Sequence, residues 1–108
     1  MKVRIQTNSI RFRLEGQEVE DLISLGRVCE QLTLPCGTTF NLLLNTQESL
    51  QETRISAGAN AIAVDLDREI LTKWNNSQSL SLKFDLQSDV EGDSLTILVE
   101  KDLPCQSH

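Results

Sequence analysis

The sequence predicts an α+β protein: two copies of a ββαββ unit whose eight short strands form one antiparallel sheet, curled or closed into a barrel, with two short helices. Three observations predict this. Apolar and polar residues alternate through eight short segments, the period of a half-buried strand. Two stretches between them carry apolar residues at helical spacing. The two halves also superpose at one offset of 52 residues: Asn8 falls on Asn60, Ile10 on Ile62, Phe12 on Val64, Val19 on Leu71, Leu22 on Trp74, Val28 on Leu80 and Leu32 on Phe84. Past the later hairpin the offset becomes 55, so that Phe40, Leu42 and Leu44 meet Leu95, Ile97 and Val99. Ile23 on Asn75 and Glu30 on Leu82 do not fit. An isolated hairpin is marginal in water, so four hairpins join a larger sheet, and an antiparallel sheet that closes loses its edges.

The elements follow in order. Lys2–Thr7 and Ile10–Leu14 read as strands around a tight Asn8-Ser9 turn. Gln17–Leu25 places Val19, Leu22 and Ile23 on one helical face, with Glu18, Glu20 and Asp21 near its positive N-terminal end and Gly26 as the C-terminal cap. Arg27–Leu34 and Thr39–Asn45 form a hairpin around Pro35-Cys36-Gly37-Thr38. Arg54–Ala59 and Ala61–Leu66 are the next strands. Asp67 caps a short helix that turns Ile70, Leu71 and Trp74 inward and ends near Asn75-Asn76. Ser79–Leu86 and Leu95–Lys101 form the last hairpin, joined by the polar loop Gln87–Ser94. This describes a single domain over 1–108, with pseudo-repeats near 1–50 and 51–103 and a fraying tail at 104–108.

Composition removes several functions. At 108 residues and 12.1 kDa, one modest core is the expectation. No apolar run reaches the ~18–20 residues of a membrane helix, so no membrane association is expected. Four aromatics and a net charge of −6 argue against nucleic-acid binding. The opening residues lack the apolar stretch of a signal peptide, and three cysteines are an odd count without a framework, so a cytoplasmic protein with reduced thiols is expected.

The best-defined candidate site is cationic. Residues 1–14 hold four positive charges and no acid, leaving six cations against sixteen acids elsewhere. With Asn8-Ser9 as a two-residue turn, Ile5 pairs with Phe12 and Val3 with Leu14 on one apolar face. The other face carries Lys2, Arg4, Arg11 and Arg13, with Arg4 directly opposite Arg13. Facing like charges are unfavourable by a few tenths of a kcal/mol, in order of magnitude. Glu100 and Asp102, on the polar face of the last strand, would answer them as an internal ion-pair ladder. A phosphate- or carboxylate-bearing ligand, or an acidic protein partner, would answer them equally through guanidinium forks.

Other chemistry is thin. Cys105 and His108 are two residues apart in the chain, but Cys29 and Cys36 lie elsewhere, and structural zinc takes two close pairs, so no metal or other cofactor is expected. The only histidine ends the chain, and no phosphate loop, nucleophile elbow or paired-carboxylate motif is present, so no catalytic residue is assigned. Asp65 and Asp67 share a face, yet helix capping accounts for Asp67. Trp74 reads as a core plug.

The two ends together resemble a family of small bacterial proteins of unknown function. Its members open M-K-I/V-R-I-x-x-N-S-I/L-R-F/L-R-L before a helix and close I-L-V-E-K-D-F-x-C. Here Met1–Ile5 and Asn8–Leu14 match the opening, and Ile97-Leu98-Val99-Glu100-Lys101-Asp102 the close, with Leu103 where Phe is usual. The resemblance implies no activity. It implies that the Arg-rich hairpin and the Glu-Lys-Asp close are features of one fold, drawing Arg11 and Arg13 toward Glu100 and Asp102.

The leading expectation is therefore a non-enzymatic binding module. Lys2, Arg4, Arg11 and Arg13 hold an anionic ligand or acidic partner, with Glu100, Lys101 and Asp102 at the margin. The alternative is a small enzyme acting on phosphorylated or nucleotide substrates inside a barrel, which needs ionisable side chains pointing inward. The chain is expected as a monomer or as a homodimer joined at an exposed strand edge such as Thr39–Asn45.

Overall fold

Alternation decides the strands and i,i+3 spacing the helices, and the computed structural model, which describes residues 1–87 and 92–102, shows how they assemble. The elements are β1 (Lys2–Gln6), β2 (Ser9–Leu14), α1 (Gly16–Leu25), β3 (Arg27–Thr33), β4 (Thr39–Gln47), β5 (Arg54–Ala57), β6 (Ala61–Asp67), α2 (Arg68–Asn75), β7 (Ser81–Gln87) and β8 (Ser94–Lys101). The tail at 104–108, with Cys105 and His108, lies outside the described residues, as does 88–91 of the last loop.

The strands form two four-stranded sheets, β1-β2-β8-β7 and β3-β4-β6-β5. This corrects the expected single antiparallel sheet or barrel. Each half gives one hairpin to each sheet, and the hairpins meet through parallel central pairs, β2 with β8 and β4 with β6. Local alternation reads the same beside a parallel or an antiparallel neighbour, so it carries no trace of this pairing. The reason for two layers lies in the helices. α1 follows β2 and hands the chain to β3 in the other sheet, and α2 does the same between β6 and β7. Phe12 and Leu14 of β2, Leu44 of β4, Val64 and Leu66 of β6, and Ile97 and Val99 of β8 then join Val19, Leu22, Leu71 and Trp74 in one buried cluster. No described buried side chain is polar or charged. The Thr39–Asn45 edge proposed for dimer formation does not exist, because β4 is interior, flanked by β3 and β6.

The ladders also fix which residues correspond between the halves. The inner-facing row Val3, Phe12, Val99, Leu82 has its counterpart in Ile55, Val64, Leu44, Val28. Bonds just beyond the strands match as well: Thr96 N donates to Asn8 O, and Asn41 N to Asn60 O, both at 2.9 Å. The offset is thus 52 as far as the helices and 55 at β8, but 54 at β7, where Val28 answers Leu82 rather than Leu80. The cause is the helix ends. Gly26 takes the left-handed conformation (φ 89°), which turns α1 straight into β3; a side chain there is strained. Asn76 ends α2 at φ −88°, and four further residues precede β7.

This shift resolves one misfit. Glu30 corresponds to Phe84, facing inward, and the Met1 ammonium bridges Glu30 (3.4 Å) and Glu18 of α1. Glu18 also accepts from Glu15 N at 2.9 Å, closing a capping box at the start of α1. Asp67 caps α2 through Ile70 N (3.3 Å) and takes Leu50 N at 3.1 Å on its other oxygen. Ile70, expected inward, is 42% exposed: Leu71 and Trp74 face the core and Ile70 sits beside that stripe.

Candidate functional site

The outer face of the β1-β2-β8-β7 sheet is the face opposite Phe12 and Leu14. The hairpin at its edge turns at Thr7-Asn8, with Asn8 at φ 56°, a conformation Asn tolerates at the second turn position. The expected Asn8-Ser9 turn is two residues out in register. Faces are preserved, since a slip of two keeps parity, but partners change: Arg4 stands directly opposite Arg11, and Lys2 opposite Arg13. Two like-charged pairs therefore face each other instead of one.

Three rows cross this face. Lys2, Arg13, Glu100 and Ser81 form one, Arg4, Arg11, Leu98 and Lys83 the next, and Gln6, Ser9, Thr96 and Asp85 the third. The sheet brings Glu100 beside the guanidinium groups, as the chain ends suggested. One carboxylate oxygen, Glu100 Oε1, lies 3.5 Å from Arg11 Nε and 3.7 Å from Arg13 Nη2. These distances exceed the ~2.7–2.9 Å of a tight charge-assisted hydrogen bond. Arg11 Nε is buried and makes no hydrogen bond among the described residues. Lys2 Nζ reaches Asp102 Oδ2 at 3.1 Å. Arg4 has no ion-pair partner among the described residues. Lys2, Val3, Arg4, Arg11 and Arg13 line a shallow pocket of about 200 Å³.

Lys101 does not belong to this face. Strand alternation turns it inward toward the end of α2, where Nζ donates to Trp74 O (3.0 Å) and Ser77 O (2.9 Å) and sits 5.1 Å from the Trp74 ring centre. It adds a charged donor to carbonyls at and just beyond a helix C-terminus, where Trp74 O also accepts from Ser77 N and Oγ. Its counterpart Thr46 donates to Leu22 O of α1 at 3.2 Å.

The same face of the other sheet offers a comparison within one molecule. Where β1 and β2 carry Arg4 opposite Arg11, β5 and β6 carry Ser56 opposite Ala63. Where Arg13 and Glu100 stand, Asp65 and Asn45 stand, joined at 3.2 Å, and Arg27 Nε donates to Asn45 at 2.9 Å. That row is satisfied by its own side chains.

Two cavities escape the sequence. A groove of about 920 Å³ runs between edge strands β5 and β7, floored by Ile55, Phe84, Leu86 and Leu95. A polar pocket of about 600 Å³ lies near Arg27, Asn45, Asp65 and Arg68. The first lies between strands of different sheets and the second between strands of different halves, neighbours for which no local pattern exists. Cys29 and Cys36 are exposed, and hydrogen bonds from the Thr38 hydroxyl and then its backbone N–H lower the Cys36 thiol below its ordinary value. Among the described residues, no three His, Cys, Asp or Glu side chains cluster as metal ligands, and no helix is long and apolar enough to cross a membrane.

The paired Arg hairpin beside the Glu100-Lys101-Asp102 close is the combination that the resemblance of the two chain ends rests on, and residues 1–108 match one family along their whole length. The chain belongs to DUF7009, a family of unknown function. No curated protein and no solved structure matches it. DUF7009 membership thus leaves the role of the Arg face to be argued from its geometry.

Proposed function

We propose that this DUF7009 chain is a binding module that holds an anionic ligand or an acidic partner on the outer face of β1 and β2. One observation carries the reading: Arg4 stands opposite Arg11 without a carboxylate of its own, at positions where the equivalent strands hold Ser56 and Ala63. The fold is built without cations there in one half, so the pair in the other half is not a folding requirement. Facing guanidinium groups are unfavourable alone and favourable around an anion. The ion pairs of Glu100 and Asp102 support the face without neutralising it: with Lys83 and Asp85, five cations meet three carboxylates.

The reading also takes the chain as one cytoplasmic domain made of two related ββαββ units; the matched ladders and the odd cysteine count support it. An enzyme working on an interior ionisable site is less favoured, since the described core is apolar. The test is isothermal titration of inorganic phosphate and of a hexaglutamate peptide into the wild type and into Arg4→Thr/Arg11→Ser. The wild type binds at least one of them and the double variant binds neither, with both proteins folded. Equal binding by the two proteins would refute the assignment.

A further inference from the structure

We infer that the anion held by this face is a phosphomonoester dianion, and that Glu100 is the residue that holds its place and sets its affinity. The inference rests on the preceding reading and goes beyond it by naming the ligand chemistry and a competing side chain. Lys2, Arg4, Arg11, Arg13 and Lys83 against Glu100, Asp102 and Asp85 leave a charge of +2 on this face, matched by one dianion rather than by one carboxylate. The donors agree. A carboxylate has two coplanar oxygens, which one guanidinium fork saturates. Here three guanidinium groups, Arg4, Arg11 and Arg13, surround one pocket, a donor set suited to the three terminal oxygens of a phosphoryl group. The volume, about 200 Å³, is sufficient for a phosphoryl group.

Glu100 stands beside two of those three donors, Arg11 and Arg13. Its single oxygen is shared between Arg11 and Arg13 at 3.5 and 3.7 Å, too long for either to be a strong bond. A phosphoryl oxygen approaching at ordinary hydrogen-bond distance takes both forks, and the Glu100 carboxylate must swing aside or remain as a repelling neighbour. Glu100 is mostly shielded, with a side chain 22% exposed, so its charge is incompletely screened. Removing that charge strengthens binding of a dianion by about tenfold, taking like charges a few ångströms apart near a surface. The arrangement therefore lets the face remain ordered when empty and exchange its ligand readily.

The experiment titrates phenyl phosphate and benzoate into wild type, Glu100→Gln and Arg11→Lys, reading backbone amide shifts by NMR, with a thermal melt for each protein. Glu100→Gln keeps the shape of the side chain. The expected result is phenyl phosphate binding to the wild type, about tenfold tighter in Glu100→Gln and several-fold weaker in Arg11→Lys. Benzoate is weaker throughout, and phosphate affinity rises through pH 6, where its second proton leaves. Glu100→Gln binding no tighter than wild type, or benzoate equal to phenyl phosphate, overturns the inference. If hexaglutamate binds while phenyl phosphate does not, the phosphoryl inference fails and the binding-module reading stands. If no anion binds, both fail.

Discussion

Replacing Arg4 by Thr separates a side chain kept for a ligand from one kept for the fold. Arg4 faces Arg11 across the β1–β2 ladder and has no ion-pair partner among the described residues. Thr removes the charge and suits a strand. Two unit charges about 6 Å apart in water repel by roughly 0.7 kcal/mol, and screening at physiological salt reduces this to about 0.3 kcal/mol. Arg4→Thr is therefore stabilised by about 0.3 kcal/mol, which raises Tm by roughly 1–2 °C in a domain of this size. Calorimetry at low and high salt provides the assay. At about 10 mM salt the difference widens, and at 1 M it vanishes, because the wild type gains from screening and the variant does not. A variant that melts several degrees below the wild type at every salt concentration would refute the reasoning, since Arg4 would then be making a structural contact.

Three further outcomes follow from the core and the helix ends. Phe12, fully buried in a central strand, should cost about 3–5 kcal/mol when truncated to Ala, measured by urea unfolding. Lys101→Met leaves Ser77 O without its donor, while Trp74 O keeps Ser77 N and Oγ, and should cost about 1 kcal/mol, with the near-ultraviolet signal of Trp74 altered. Burial alone lowers the Met1 ammonium, but the hydrogen bond and charge of Glu18 and the charge of Glu30 outweigh it and raise the group above its ordinary value of 8.0. That stabilisation is complete below about pH 8 and is lost as pH rises through the raised value, so the urea midpoint falls across this window. Glu18→Gln/Glu30→Gln flattens the fall; an unchanged slope would contradict the contact.

The elements were legible because each rests on a local signal. Asp67 at a helix start, Gly26 at a helix end and alternation along Ile10–Leu14 are decided by chemistry a few residues wide. The architecture was not. Pairing of β2 with β8 joins residues 87 positions apart, such as Ile10 and Ile97, and nothing in either strand names its partner or direction. The registers slipped by two for a related reason: a shift of two leaves every side chain on its face, so the apolar pattern cannot detect it. The site shared both fates. Lys2, Arg4, Arg11 and Arg13 were visible as a face, and the chain ends drew Glu100 and Asp102 to it. Lys101 was misplaced because its sequence neighbours are site residues, although its parity assigns it to the inner side. Glu30 looked anomalous only until the Met1 ammonium was seen beside it.

The most direct test of the central claim is an amide NMR titration of the wild-type protein with inorganic phosphate at pH 7.5. The account predicts saturable shifts concentrated at Arg4, Arg11, Arg13 and Glu100, with the equivalent residues Ser56, Ala63, Asp65 and Asn45 unmoved. Shifts of equal size on both sheets, or none on the β1–β2 face, would contradict it.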